Sequence, residues 1–113
     1  MLLNVFSSWC TSCVAEHPLL MALKREGVVI AGIDWKDEPA DGAKWLEQRG
    51  DPYVKSGNDR TGRVGIDLGV TGVPETFVID GKGRVRLKHI GPIEQDDWSN
   101  TIGPLLRRLG AES

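Results

Sequence analysis

The stretch Trp9-Cys10-Thr11-Ser12-Cys13 decides the fold, because it holds the only two cysteines of the 113-residue chain. It follows a short apolar run, residues 2–6, that is typical of a buried β-strand. A helix is predicted over residues 10–26, where apolar residues recur at helical spacing and a glycine follows. The two cysteines therefore lie where a strand passes into a helix, and their chemistry decides the function.

The position of the cysteines favours a redox-active pair. Cys10 falls at the predicted helix N-terminus, where unpaired backbone N–H groups and the helix dipole favour thiolate over thiol. Cys13 lies one turn further along the same face and can reach back to Cys10. We therefore expect Cys10 to be the exposed nucleophile and Cys13 to be the shielded thiol that resolves the mixed disulfide.

Two other interpretations of the cysteines remain open at this point. Cys10, Cys13 and His17 could ligate zinc, but no second Cys or His pair completes the ligand set, so we expect no metal site. His17 is otherwise expected to be a partly exposed helix residue. The cysteines could also be two small buried apolar residues. The succession of strand, CxxC and a helix kinked at Pro18 favours the redox pair over both.

The composition excludes several classes of protein. Charged residues make up 27% of the chain, and a formal charge of −2 from interspersed residues gives no basic stripe for nucleic acid. The longest apolar run, residues 28–33, is too short to cross a bilayer, and no signal peptide is visible. The chain opens inside a predicted core strand, so we expect an upstream targeting or anchoring segment. The length fits one domain over residues 1–113.

Hydrophobic periodicity predicts the order β-α-β-α-β-β-α, which is an α/β domain with a mixed sheet. Beyond the first strand and helix, strands are predicted over residues 28–33, 76–79 and 84–90, helices over residues 41–49 and 94–109, and loops with one helical turn over residues 51–72. Asp80-Gly81-Lys82-Gly83 predicts the hairpin turn between the last two strands. Gly103-Pro104 is expected to bend the closing helix.

Val73-Pro74 leads directly into the third predicted strand. Proline is tolerated as the first residue of a strand. A trans peptide is the commoner state of an X-Pro bond, and a cis bond would be a specialised feature of a tight turn. If this proline lies beside Cys10, the backbone of Val73 can pair with an extended substrate segment that carries the target disulfide.

These residues together resemble the thioredoxin superfamily over nearly the whole chain. Within it, the motifs that resemble the DsbE/CcmG family are Leu2-Leu3-Asn4-Val5, Ala15-Glu16-His17, Trp35-Lys36-Asp37, Asp67-Leu68-Gly69-Val70 and, most specifically, Gly72-Val73-Pro74-Glu75-Thr76-Phe77. The resemblance implies a thioredoxin fold, a mixed central sheet flanked by helices, with a central insertion that we place around residues 37–63. It also implies a cis Val73–Pro74 peptide and Cys10 as the nucleophile. Thr11 departs from the proline that is often found after the first cysteine in this family, which leaves the reduction potential open.

Two acidic residues are candidate catalytic groups. Glu16 follows Cys10 by six residues on the predicted helix, and Glu75 follows Pro74. Negative charge near the sulfurs would raise the thiol pKa and make the reduced pair a better electron donor. Asn4 occupies the place where many thioredoxins carry a buried proton-accepting acid, so Glu16 or Glu75 is expected to do that work. A solvated surface role is the alternative for each.

The predicted function is that of a thiol:disulfide oxidoreductase that acts mainly as a reductant and needs no cofactor. The candidate substrate-contacting residues are Trp9, Thr11, Ser12, Val73 and Pro74. The resemblance implies a periplasmic, membrane-anchored protein of c-type cytochrome maturation. Its implied partners are apocytochrome c or a haem-lyase component, and a membrane electron donor of the DsbD/CcdA type. The alternatives are a general thioredoxin-like reductase and a non-catalytic peptide-binding module of the same fold.

Overall fold

The computed structural model describes residues 1–112 and has a five-stranded sheet at its centre. The strands are β1 (Leu2–Phe6), β2 (Ile30–Trp35), β3 (Lys55–Asp59), β4 (Glu75–Ile79) and β5 (Val85–Ile90). The helices are α1 (Thr11–Arg25), α2 (Pro39–Arg49), α3 (Arg63–Leu68), α4 (Gln95–Asp97) and α5 (Gly103–Glu112), with a π-helical segment, Trp98–Ile102, before the last. None of these helices is long and apolar enough to span a membrane.

The central strand of the sheet is β1, in the order β3-β2-β1-β4-β5. β1, β2 and β3 pair in parallel, and β4 and β5 pair antiparallel, so the predicted mixed sheet is confirmed. The ends of β1 and β2 and the start of β4 meet at one edge, because Phe6 pairs with Asp34 and Val5 with Glu75. The segments that hold the cysteines, the β2–α2 turn and Pro74 therefore emerge side by side.

The stretch 51–72 contains a strand that the sequence does not predict. β3 has the sequence Lys-Ser-Gly-Asn-Asp, and its first four residues are exposed, so it has no hydrophobic pattern. Its backbone pairing with β2 alone makes it an edge strand. The predicted helical turn is α3, which lies between Gly62 and Gly69, both in left-handed conformations. The segment predicted as an insertion, residues 37–63, holds α2 and β3.

The closing helical region differs from the single helix predicted over residues 94–109. Glu94 and Asp97 form a capping box at its start. The chain then widens into the π-helical segment before α5 begins at Gly103. A Cβ atom at Gly103 would lie 2.9 Å from the Trp98 carbonyl oxygen, so only glycine fits where this segment ends. The irregularity predicted at Gly103-Pro104 is therefore a π-helical segment that precedes it.

The two faces of β1 lie in two separate hydrophobic clusters. Leu2 and Phe6 belong to the cluster that also contains both cysteines. Val5 belongs to the second cluster, with Phe77 of β4. Side chains alternate along a strand, so Asn4 lies on the same face as Leu2 and Phe6. A buried polar residue of the central strand therefore faces the side of the sheet that carries the cysteines.

Gly32 in β2 leaves room for the aromatic ring of Tyr53. A Cβ atom at this position would lie 2.8 Å from the ring, closer than packed atoms tolerate. We expect Gly32→Ala to lower the free energy of unfolding by about 1–3 kcal/mol, because the ring must move in a packed core. Urea unfolding measures this change. Gly57→Ala is the matched control in the neighbouring strand, since a Cβ atom there meets nothing within 4 Å. Equal stability of the two variants would contradict the expectation.

Candidate active site

Cys10 and Cys13 form a disulfide at the start of α1, with their Cα atoms 5.3 Å apart. Cys10 is the N-cap residue, with an extended backbone, and its Sγ accepts a hydrogen bond from the Cys13 backbone N–H at 3.1 Å. This places the sulfur of Cys10 among the unpaired N–H groups of the first helical turn, as predicted. The same N–H groups can stabilise a thiolate when the pair is reduced.

The exposure of the two cysteines differs from the prediction. Cys10 is only 5% exposed and Cys13 2% exposed, so the expectation of an exposed Cys10 is wrong for the disulfide form. The reason is the disulfide, because it joins the Cys10 sulfur to the buried Cys13. Cys10 nevertheless lines a surface pocket with Trp9, Thr11 and Val14, whereas Cys13 is absent from its lining. Access to the pair is therefore from the Cys10 side.

The residues around the cysteines form an exposed rim. Thr11 and Ser12 are exposed on the first turn of α1. Trp9 is 56% exposed, and its indole N–H donates to the Lys36 carbonyl at 2.9 Å. The Trp9 ring lies 6.1 Å from the ring of Trp35. The Trp9 ring is thus held in one position next to Cys10, with a large aromatic surface exposed to solvent.

The Val73–Pro74 peptide is cis, as the family resemblance implies. Pro74 is buried and Val73 is half-buried against the cluster that contains both cysteines. The Pro74 carbonyl accepts a hydrogen bond from the Gly91 N–H at 2.9 Å. The proline loop is therefore anchored to the end of β5, on the same side of the domain as the start of α1.

Glu16 is buried under α1 in a polar cluster. Its Oε1 accepts from the Asn4 amide at 3.0 Å, and its Oε2 accepts from the Ile93 backbone N–H at 2.7 Å. Asn4 also donates to the Thr76 hydroxyl at 3.0 Å and accepts from the Tyr53 hydroxyl at 2.6 Å. Every side-chain oxygen and nitrogen of Asn4 and Glu16 thus has a partner. Hydrogen bonds from β1 and from the segment before α4 hold the Glu16 carboxyl in one orientation.

Burial makes the Glu16 carboxyl a weaker acid than usual. It is 2% exposed, and desolvation of the carboxylate raises its pKa above the usual value. Hydrogen bonds from Ile93 and Asn4 favour the charged form but do not cancel the effect of burial. Glu16 lies three residues after Cys13 on the buried side of α1, so the two side chains are helical neighbours. It also lines a surface depression next to Pro92.

Tyr53 is a member of this cluster that the sequence analysis missed. It is 6% exposed, and its pKa is raised by burial and by the nearby charge of Glu16. Forty-nine residues separate it from its partner Asn4, and no local pattern links them. It is the only tyrosine in the chain, and this rarity is the one signal that could have drawn attention to it.

Glu75 does not join Glu16. It pairs with Val5 across the sheet, and its side chain lies on the face opposite α1. Its Oε2 accepts from the Thr71 N–H at 3.0 Å, the Thr71 hydroxyl at 2.7 Å and the Gly72 N–H at 3.2 Å. Lys88 Nζ lies 3.4 Å from Oε1. The buried carboxylate therefore fixes the loop that leads into Val73 and Pro74.

His17 is buried rather than partly exposed. It is 5% exposed, and its ring packs edge-on with the Trp45 ring, with the two ring centroids 4.7 Å apart. Its Nε2 lies 2.8 Å from the Gly50 carbonyl oxygen. Packing between α1 and α2 explains the difference, because a single helix pattern does not reveal a second helix above it. Within residues 1–112, no three His, Cys, Asp or Glu side chains lie close enough together to hold a metal ion.

Comparison with known proteins identifies the family. The family model described as Redoxin matches residues 1–102. The chain belongs to the Redoxin family. Among curated relatives, this Redoxin domain is 47% identical over 108 residues to the thiol:disulfide interchange protein DsbE of Pasteurella multocida, covering 96% of the domain and 60% of that protein. It is 45% identical over 105 residues to the thiol:disulfide interchange protein HelX of Rhodobacter capsulatus, covering 93% and 60%.

Solved structures agree with the fold of this Redoxin domain. A putative thiol:disulfide interchange protein DsbE from Chlorobium tepidum superposes with a TM-score of 0.78 at 26% identity, covering 96% of this domain and 78% of that chain. The thioredoxin-like fold, predicted from the motifs, is therefore confirmed, and so is the similarity to DsbE proteins. The domain spans about 60% of the length of the curated relatives it matches.

Proposed function

We propose that this Redoxin domain is a thiol:disulfide oxidoreductase that works as a reductant. The observation that carries the proposal is the Cys10–Cys13 pair at the start of α1, with Cys10 lining a surface pocket. A disulfide with only a structural role would not need one of its cysteines to line a surface pocket. The similarity to thiol:disulfide interchange proteins supports the same activity.

The reaction is a two-step exchange between thiols and disulfides. The Cys10 thiolate attacks one sulfur of the substrate disulfide, that bond breaks, and the second substrate sulfur leaves as a thiolate. Cys13, once deprotonated, attacks the Cys10 sulfur, the mixed disulfide breaks, and the first substrate sulfur leaves. Two electrons pass to the substrate, and the Cys10–Cys13 disulfide forms. The exchange needs no cofactor.

Glu16 is the proposed proton acceptor for Cys13 and favours the reducing direction. It is a buried acid on the cysteine side of the sheet and lies one helical turn after Cys13. When ionised, it opposes a second negative charge on the sulfur, which raises the thiol pKa and disfavours the reduced pair. A pair that is less stable when reduced gives up its electrons more readily.

The proposed substrate surface is formed by Trp9, Thr11 and Ser12 on one side of Cys10 and by Val73 and Pro74 on the other. The first three are exposed, and Trp9 and Thr11 also line the pocket. The start of β4 lies at the same sheet edge, so an extended peptide can pair with the Val73 backbone while its disulfide reaches Cys10.

The physiological role proposed for the domain is reduction during c-type cytochrome maturation. Its support is the similarity to DsbE and HelX and the motifs that resemble the DsbE/CcmG family. On that basis the substrate is apocytochrome c or a haem-lyase component, and a membrane protein of the DsbD/CcdA type returns the electrons. The proposed location is the periplasm, with attachment to the inner membrane.

Insulin reduction separates this role from that of a general thioredoxin-like reductase. We expect the reduced domain to precipitate insulin slowly, but to reduce rapidly a disulfide-bonded peptide that contains the CxxCH haem-attachment motif. A commercial thioredoxin is the positive control for insulin. Fast reduction of insulin together with no preference for the CxxCH peptide would favour the general reductase.

Glu75 is proposed to act on the substrate through the proline loop. We expect Glu75→Ala to reduce kcat/KM for a protein disulfide by roughly tenfold, mainly through KM, because the loop loses three hydrogen bonds to one oxygen. Glu75→Gln keeps an acceptor oxygen and should recover most of this loss. A small-molecule disulfide should react at the same rate with all three proteins. Equal slowing of both variants on both substrates would instead make Glu75 a proton-transfer group.

A further inference from the structure

Asp37, in the turn between β2 and α2, is bonded to the residue that precedes Trp9. Its Oδ2 accepts from the Ser8 backbone N–H at 2.8 Å, and its Oδ1 accepts from the Ser8 hydroxyl at 2.7 Å. The carbonyl of the preceding residue, Lys36, accepts from the Trp9 indole. Three hydrogen bonds therefore join the β2–α2 turn to the two residues immediately before Cys10.

The β2–α2 turn is itself fixed by β3. Lys36 has a φ of 48°, a left-handed conformation that is uncommon for a residue with a side chain. Its N–H donates to the Asp59 carbonyl at 2.8 Å, and the Asn58 amide donates to the Asp37 carbonyl at 3.0 Å. The β2–α2 turn is thus hydrogen-bonded to the edge strand β3 on one side and to Ser8 on the other.

Asp34 lies beneath this turn and pairs with Asp37. The Asn58 side-chain amide joins the two residues, because it donates to Asp34 Oδ2 at 3.2 Å and to the Asp37 carbonyl at 3.0 Å. Asp34 is 6% exposed, and Gly42 of α2 packs so closely on its carboxyl that a Cβ atom would overlap it. Among the described residues none donates to the buried Asp34 Oδ1, and a proton on this carboxyl would let it donate to the neighbouring carboxylate of Asp37.

The surroundings of Asp34 favour the protonated form. Burial, the neighbouring Asp37 and, more weakly, Asp41 of α2 together raise its pKa to about 8. Asp34 lines a surface pocket that also contains Glu47 and Asp51, and no lysine or arginine is among the described residues of its wall. In contrast, the pKa of Asp37 is lowered, since hydrogen bonds with Asp34 and Ser8 outweigh its burial.

We propose that Asp34 and Asp37 share one proton and, through Ser8, position the turn that carries Cys10. Asp37 is the acceptor for both Ser8 donors, and protonated Asp34 is the donor that holds Asp37 in place. Both are positioning residues that act on Cys10 through the backbone of Ser8 and Trp9. The proposal rests on the proposed function only for the role of Cys10, because the pairing itself can be tested in the oxidised protein.

The pairing is tested by NMR of the oxidised protein, in which the cysteines do not titrate. We expect the Ser8 Cβ shift and the Asp34 and Asp37 carboxyl carbon shifts to change together near pH 8, as the shared proton is lost. Asp34→Asn retains a donor toward Asp37 and should abolish the change at Ser8. Asp41→Asn, an exposed control on α2, should keep the change at Ser8 and move its midpoint only slightly down, because Asp41 adds weakly to the effect on Asp34. The proposal that the two aspartates share a proton would be refuted if the Ser8 Cβ shift did not change near pH 8 in the native protein. It would also be refuted if that change persisted in Asp34→Asn.

Thermal unfolding gives a second measurement of the pair. The folded state keeps the Asp34 proton up to about pH 8, whereas an unfolded aspartate loses it near pH 3.8. The stability contributed by the proton is complete below pH 3.8 and is lost as the pH rises toward 8. The melting temperature of Asp34→Asn, relative to that of the native protein, should therefore rise as the pH increases from about 5 to about 8. Above about pH 8 the difference between the two melting temperatures should stay constant. A constant difference between about pH 5 and about pH 8 would count against the proposal.

The effect on Cys10 is tested in the Cys13→Ser background, where Cys10 is the one thiol. We expect Asp37→Ala to slow the reaction of Cys10 with a small aromatic disulfide by roughly tenfold, since misplacing a reacting group by a fraction of an ångström has such an effect. Asp37→Asn can still accept from the Ser8 N–H and donate to its hydroxyl, so its rate should stay within about threefold of the parent. Equal effects of the two variants, or none, would overturn positioning by Asp37, whatever the outcome for substrate proteins. If Asp37→Ala fails to fold, Ser8→Ala replaces it, with a smaller slowing expected from one lost hydrogen bond.

Discussion

Replacing Cys13 with serine is expected to stop turnover and leave the protein covalently attached to its substrate. Cys10 would still sit at the helix N-terminus and attack the substrate disulfide, but no second thiol would follow to release it. The mixed disulfide should persist for hours and appear on a non-reducing gel as a complex that dithiothreitol dissolves. Mass spectrometry of the trapped species then identifies the substrate and its reacting cysteine.

The matched control for this experiment is Cys10→Ser, which should form no complex and show no reductase activity. Cys13 lies behind Cys10 and does not line the surface pocket, so it should not replace Cys10 as the nucleophile. The result also discriminates between an enzyme and a binding module. Full biological function of the Cys10→Ser protein would mean that the proline groove alone matters and that the cysteines are structural.

Glu16→Gln is expected to slow resolution of the mixed disulfide by roughly tenfold to a hundredfold, the lower end of the range for general acid–base catalysis. The glutamine side chain could keep one of the two hydrogen bonds that Glu16 accepts, but it cannot take the proton from Cys13. The native rate should fall as the pH drops through the pKa of Glu16, which burial places above 4.5. In the variant this fall in rate should vanish, and the pH dependence of the rate should reflect only the ionisation of the thiols. Stopped-flow tryptophan fluorescence between about pH 4 and about pH 9 measures both effects.

Glu26→Gln provides the control for charge, since it makes the same substitution at the C-cap of the same helix. It should behave like the native protein at every pH. An unchanged profile for Glu16→Gln would remove the proton-acceptor role and leave Glu16 as a structural part of the buried polar cluster. The Tyr53→Phe protein tests the support for Glu16, because it removes the hydroxyl that bonds to Asn4.

The strands and helices that carry a hydrophobic pattern could be predicted from the sequence. The first strand is found at residues 2–6 as predicted, and α1 differs from its predicted limits by one residue at each end. The edge strand β3 could not be predicted, because it is polar and exposed and owes its structure to pairing with β2. The π-helical segment before Gly103 was also missed, since the spacing of apolar residues does not distinguish it from a bent α-helix.

The candidate site was only partly accessible to sequence analysis. Cys10, Pro74 and Glu16 stand in local motifs, and the structure places Cys10 at the helix N-terminus, Pro74 after a cis peptide and Glu16 in a buried polar cluster. Glu75 also stands in a motif, but the pairing of β1 with β4 turns its carboxylate to the opposite face of the sheet. Tyr53 and Asp34 have no motif, and their roles depend on partners far away in the sequence or on a neighbouring helix.

The sequence alone determined the dithiol pair, its place between a strand and a helix, and the family to which it points. These features depend on residues that are neighbours along the chain, where spacing fixes geometry. Only the tertiary structure decided on which face of the sheet Glu16 and Glu75 lie, how far Cys10 is covered, and that Asp37 accepts two hydrogen bonds from Ser8. Each of these depends on which face of the sheet a side chain takes and on what packs above it, and strand pairing sets both.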